Sequence, residues 1–192
     1  MKANHIPKRY IVLFVDFLGQ KEFFKEIKDI KVNKVIEDKI STISNSVVRG
    51  IQGFNLLADK VIEGSDRLYE DLVTKRIEPY CSAPKEWFRY EMEHCRPKVH
   101  TFSDSTMVYF PMHDDVAPLI MPMLMFFLCQ LFLQNLSEGN LYRGVITFGD
   151  GWEISDGVLY GPVVDRAGFI EKNVASYPRI VVSDEVFDYY IY

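Results

Sequence analysis

Eighteen consecutive residues, Val116 to Leu133 (VAPLIMPMLMFFLCQLFL), carry no charge, a length close to that of a membrane span. Pro118 and Pro122 fall in its first third, Asp114 and Asp115 precede it as N-cap candidates, and no Lys/Arg cluster flanks it. These features favour a helix that is apolar on most of its faces, buried under a sheet and against a second subunit. The rest of the chain has globular character. With 192 residues, 48% hydrophobic and 26% charged, it is long enough for one compact domain spanning 1–192. A net charge of −5 provides no global positive field, which argues against polymeric nucleic acid as a partner. Cys81, Cys95 and Cys129 are odd in number and lack C-x-x-C spacing, and MKANHIPKRY has no apolar h-region. A reducing, cytoplasmic setting is the expectation.

Tyr10 to Val15 (YIVLFV) is a continuous apolar run ending at Asp16, the pattern of a central strand buried on both faces. From Lys21 to about Val48 apolar residues recur at three- and four-residue steps, which predicts one or two amphipathic helices. The stretch from about 50 to 97 is the least regular third and reads as a helical insertion bounded by turns. Val99–Phe102 and Thr106–Phe110 flank Ser103-Asp104-Ser105 closely enough for a hairpin. Leu141–Phe148 reads as a strand, Gly149–Gly157 as a loop, and Val158–Tyr160 as a short strand. Pro162 opens a helix to about Ala175, Arg179–Val182 forms a last strand, and Asp184 starts a terminal helix. The order predicts an α+β fold, an α/β sandwich whose mostly antiparallel sheet is covered by helices.

Asp16 and Asp104 each adjoin an apolar strand, so pairing those strands would bring two carboxylates to one sheet edge. Such a pair suits Mg²⁺, which takes a few carboxylates together with waters and substrate phosphate oxygens. The competing reading is that each Asp merely caps a turn or helix. After Asp16, the segment Phe17-Leu18-Gly19-Gln20 leads into a helix, and Gly19 would let backbone N–H groups approach a phosphate.

These residues carry a resemblance. FVDFLGQKEFF resembles the first metal motif of the class III nucleotidyl cyclases, HTFSDS their acidic hairpin, and GPVVDRAGFIE their late helix. The chain is most similar to the small stand-alone set that includes the uridylate and cytidylate cyclases of Pycsar anti-phage defence. Four segments carry that match in order: Asp16 to Gly19, Phe102 to Ser105, Arg143 to Gly149, and Gly161-Pro162 through Ala167 and Glu171 to Tyr177-Pro178-Arg179-Ile180.

The resemblance implies a class III cyclase-like fold and a homodimer with active sites at the subunit interface. It also implies two divalent ions, Mg²⁺ or Mn²⁺, held by Asp16, Asp104 and the Phe17 carbonyl, with the backbone of Phe17, Leu18 and Gly19 near the phosphates. The ribose 3′-hydroxyl of a nucleoside triphosphate then attacks the α-phosphate and expels pyrophosphate. The cyclic product would signal to a separate effector protein.

Departures from the purine-cyclase pattern refine the expectation. In the same register His100 and Val158 occupy the positions of the adenine-reading Lys and Asp. A pyrimidine read by fewer polar groups, UTP ahead of CTP, is therefore expected, with His100 donating to a base carbonyl or simply satisfied within its strand. Asp165 falls on the ribose-orienting Asn and Phe169 on the transition-state Arg. Arg166 or Lys172 is then the expected catalytic cation, and Arg143 and Arg179 are further candidates that read first as strand-edge surface charges. The alternative is an inactive nucleotide-binding homologue acting as an interaction module. The four histidines show no zinc spacing, and no G-x-S-x-G elbow points to a serine hydrolase.

Overall fold

A computed structural model describes residues 7–18, 69–76, 84–95, 97–101, 105–112, 141–155 and 157–191, with single helical positions at 52, 64, 67, 125, 129, 133, 136 and 137. Its central element is the expected one. The run KRYIVLFVDF forms β1 (Lys8–Phe17), which pairs antiparallel with β3 (Ser105–Pro111) on one side and β4 (Tyr142–Ser155) on the other. β2 (Lys98–Thr101) pairs with β3 antiparallel, from Lys98↔Tyr109 to Thr101↔Thr106, as predicted for the hairpin. β5 (Val158–Tyr160) extends the path to β2-β3-β1-β4-β5, and β6 (Ile180–Val182) lies parallel beside the first half of β4.

Alternation along β1 divides the core into two layers. Ile11, Leu13 and Val15 face one side, where they meet Phe88 of α1 (Lys85–His94), Leu72 and Cys95, with Val186 of α3 (Asp184–Ile191) in the same cluster. Tyr10 and Val12 face the other side, under Val163 and Ala167 of α2 (Pro162–Asn173). A slip of one residue would exchange the two faces, so this double burial fixes the register of the sheet. Leu72, Phe88 and Cys95 fall within the 50–97 stretch and bring it into the main core.

The loop expected over Gly149–Gly157 is instead mostly strand, because β4 continues to Ser155 with an irregularity between Glu153 and Ser155. Packing explains the glycines. A Cβ on Gly149 would meet Val163 Cβ at 3.5 Å, and one on Gly151 would meet Val163 Cγ1 at 3.1 Å. Both lie where α2 crosses β4 closely, and a strand glycine marks such an approach as well as a turn. Pro162 takes the first position of α2, where its missing N–H costs nothing, after Gly161 at φ 129°. At the other end, Arg179 donates from Nη2 to the Val174 carbonyl and stacks 4.2 Å over the Tyr177 ring. A cation is favourable against the last carbonyls of a helix, so this contact fixes the end of α2 beside β6.

Among the described residues no helix is long and apolar enough to cross a membrane. The helices expected over Lys21–Val48 lie outside the described residues, as does most of Val116–Leu133.

Candidate active site

The site grows from one row of side chains across three strands. Asp16 is the penultimate residue of β1, and the register places Ser105 of β3 opposite it on one side and Arg143 of β4 on the other. Same-face neighbours on adjacent strands touch, so this register decides the contacts. Ser105 Oγ donates to Asp16 Oδ1 at 3.0 Å, and Arg143 Nη2 stands 3.4 Å from Asp16 Oδ2.

A fourth group descends from α2. Val163, Ala167 and Glu171 are its buried positions, four residues apart, so Glu171 shares the apolar stripe that packs onto the sheet. Its Oε1 lies 2.5 Å from Arg143 Nε, and both atoms are closed to solvent. This is a close ion pair rather than an aligned hydrogen bond. Two carboxylates thus bracket one guanidinium, with side-chain exposures of 12% for Asp16, 9% for Glu171 and 21% for Arg143.

The backbone adds an oxygen donor. Leu18 N–H donates to the Leu141 carbonyl at 2.8 Å, so the residue before it, Phe17, turns its N–H and C=O away from β4 and toward the β3 side. Asp104 and Gly19 lie outside the described residues, as does the turn 102–104. Ser105, which follows Asp104 in sequence, is the residue opposite Asp16.

His100 of β2 is half-buried opposite Met107, which pairs with Phe14 of β1. Phe14 and Asp16 are two residues apart, so His100 stands one row along on the same face as Asp16. The other predicted side chains lie on α2. Asp165 is exposed in its first turn, and Lys172 is exposed beside Glu171. Arg166 pairs at 2.7 Å with Glu185 of α3. Burial pushes the Glu185 carboxyl up, but its own backbone amide, the Ser183 hydroxyl and Arg166 together hold it below its ordinary value. Phe169, which the resemblance sets at the position of a transition-state cation, is 64% exposed.

The structure therefore brings Asp16, Arg143 and His100 to one face and adds Ser105 and Glu171, to which sequence reasoning gave no role. A signal for Glu171 was present in its spacing: an acid eight residues after Val163 and four after Ala167 lies on a helix's buried stripe and needs a partner there.

Among the described residues no three His, Cys, Asp or Glu side chains converge on a metal position. The donors that are described still suit a hard divalent cation. They are a carboxylate near a strand end and, one residue on, a main-chain carbonyl turned toward the β3 side, both oxygen ligands of the kind Mg²⁺ and Mn²⁺ prefer.

No protein-family model and no curated protein sequence matches the chain. Solved structures do. The guanylate cyclase domain of RhGC from Catenaria anguillulae, in complex with GTP, superposes with a TM-score of 0.52 at 12% identity, covering 96% of this chain and 83% of that one. The monomeric guanylyl cyclase domain of RhoGC from Blastocladiella emersonii gives 0.54 at 14% identity, covering 96% and 86%. The catalytic core of a rhodopsin-guanylyl cyclase with converted specificity, in complex with ATPalphaS, gives 0.52 at 10% identity, covering 96% and 83%. The fold is that of a class III nucleotidyl cyclase domain. Its α+β character agrees with the sequence expectation, and the cyclase fold here carries the Asp16, Arg143 and Glu171 cluster where α2 overlies the ends of β1 and β4.

Proposed function

We propose that the chain is a metal-dependent nucleotidyl cyclase that converts a pyrimidine nucleoside triphosphate, UTP ahead of CTP, into its 3′,5′-cyclic monophosphate and pyrophosphate. The observation that carries this reading is the position of Asp16, near the end of the central strand of a cyclase fold, with the Phe17 carbonyl turned to the β3 side. Two divalent ions would be held by Asp16, Asp104 and the Phe17 carbonyl, lowering the pKa of the ribose 3′-hydroxyl and offsetting charge on the phosphates. His100, on the same face, is the candidate donor to a pyrimidine carbonyl, and Val158 offers only packing where purine enzymes carry an acid. Asp165 is the candidate ribose contact, and Arg166, Lys172 or Arg143 the candidate phosphate cation.

Purified protein incubated with each of the four nucleoside triphosphates and Mn²⁺ tests the base preference. Cyclic UMP is expected as the main product, with a smaller yield from CTP. Cyclisation of ATP or GTP alone would contradict the assignment of His100 and Val158.

A homodimer belongs to the same proposal. Met125, Cys129, Leu133 and Leu136 are each helical and exposed, apolar surface suited to cover by a second copy. Light scattering at micromolar concentration is expected to give a dimer whose activity falls on dilution. A fully active monomer would remove the shared-site mechanism. A cytoplasmic setting suits the two described cysteines, Cys95 and Cys129, neither of which is in a disulfide. The anti-phage role and the separate effector rest on analogy with Pycsar, and protection of cells from phage that depends on Asp16 is the result that would support them.

One observation favours the second reading, a nucleotide-binding module without turnover. Arg143 and Arg166 are each engaged with carboxylates of the protein itself. Calorimetry showing UTP binding with no pyrophosphate release would select that reading.

A further inference from the structure

The three-residue cluster of Asp16, Arg143 and Glu171 is asymmetric. Arg143 lies 2.5 Å from Glu171 but 3.4 Å from Asp16, so its guanidinium is anchored on the helix and only leans toward the strand acid. Burying a charge without a partner is expensive, and the arrangement avoids that cost in two states. In the cation-free protein Arg143 neutralises Asp16. When a divalent ion takes Asp16, the long contact is the one given up, and Arg143 keeps Glu171. Counted together with one bound divalent ion, the three side chains go from a summed charge of about −1 to about +1, the sign that a triphosphate requires.

We propose that Arg143 is the built-in counter-ion of cation-free Asp16, and that Glu171 is a positioning residue that holds Arg143 back so that Asp16 is released to a divalent cation. This rests on the cyclase reading of Asp16, and it predicts effects of opposite sign on cation affinity from the two ends of one ion pair. Removing Arg143 removes a competitor. Removing Glu171 delivers the whole guanidinium to Asp16 and leaves it unpaired whenever the ion binds.

The test is Mn²⁺ binding to the full chain, followed by electron paramagnetic resonance, without nucleotide and then with a non-hydrolysable UTP analogue. Arg143→Met is expected to bind Mn²⁺ about tenfold more tightly than wild type, and Glu171→Gln about tenfold more weakly, each about 1.4 kcal/mol. Glu171 acts through Arg143, so in an Arg143→Met background Glu171→Gln is expected to change affinity by less than about twofold. Should Arg143→Met fail to fold, Arg143→Lys serves instead, because a lysine cannot bridge both carboxylates and is expected to give a smaller increase. Weakening of Mn²⁺ by both single variants, as general loosening of the site would produce, overturns the proposal. So does a full Glu171→Gln loss in the Arg143→Met background, which would make Glu171 a ligand or a simple field effect. The cyclase reading fails separately, if wild type shows no Mn²⁺ binding that Asp16→Asn removes, with or without the analogue.

Discussion

Asp16→Asn is expected to lower cyclic-nucleotide formation by about a thousandfold or more while leaving the fold intact. The substitution removes one negative charge from the position proposed to hold the cations, and metal stabilisation of a phosphoryl transition state is worth several kcal/mol, at about 1.4 kcal/mol per factor of ten. The fold should survive because Asn Oδ1 still accepts the Ser105 hydroxyl and Arg143 retains Glu171. Thermal melting within a few degrees of wild type, together with loss of turnover, is the expected pair of results. Loss of folding would instead make Asp16 a structural residue, as the capping interpretation of the sequence has it.

The largest effect on stability is expected at Gly144. It lies opposite Val15 of β1 and pairs with Ile180 of β6, so strands flank it on both sides. A Cβ built there would stand 2.5 Å from the Phe14 carbonyl oxygen and 2.8 Å from Val15 Cγ1. The first of these is backbone in the central strand, which cannot rotate away as a flexible side chain would. Gly144→Ala should therefore cost about 3 kcal/mol or more, a large share of a domain's usual margin of about 5–15 kcal/mol. Urea denaturation measures it, and an unfolding free energy within about 1 kcal/mol of wild type would show that the sheet yields at this point. Because Arg143 adjoins Gly144, any folded fraction should also bind Mn²⁺ abnormally.

The elements that could be read from the sequence are those whose local pattern and tertiary role coincide. Central-strand burial on both faces leaves a continuous apolar run, and YIVLFV is such a run, so β1 and the acid near its end were visible together. Pro162 after Gly161 marked the start of α2, because both residues are chosen by the local backbone. The second half of β4 was not visible. Gly149 and Gly151 signal a turn to any local reading, and their actual cause is Val163 of a helix that follows them in the chain.

The same distinction applies to the site. Asp16 could be singled out because a strand-end acid is recognisable in sequence. Arg143 read first as a surface charge and only second as a phosphate contact, since its relation to Asp16 depends on the β1–β4 register and its relation to Glu171 on which face α2 turns to the sheet. Neither is encoded near Arg143 itself. Residues on α2 expected near substrate, Asp165 and Lys172, are exposed, and Arg166 is drawn to Glu185 by the packing of α3, which a register taken from motif spacing does not contain.

The central claim, that the site centred on Asp16 joins the ribose 3′-oxygen to the α-phosphorus, is most directly tested by phosphorus NMR of UTP incubated with the protein and Mg²⁺. Growth of a cyclic phosphodiester resonance and a pyrophosphate resonance in equal amounts, absent with Asp16→Asn, is the predicted result. Release of inorganic phosphate with UDP, or a spectrum that stays that of UTP, would contradict it.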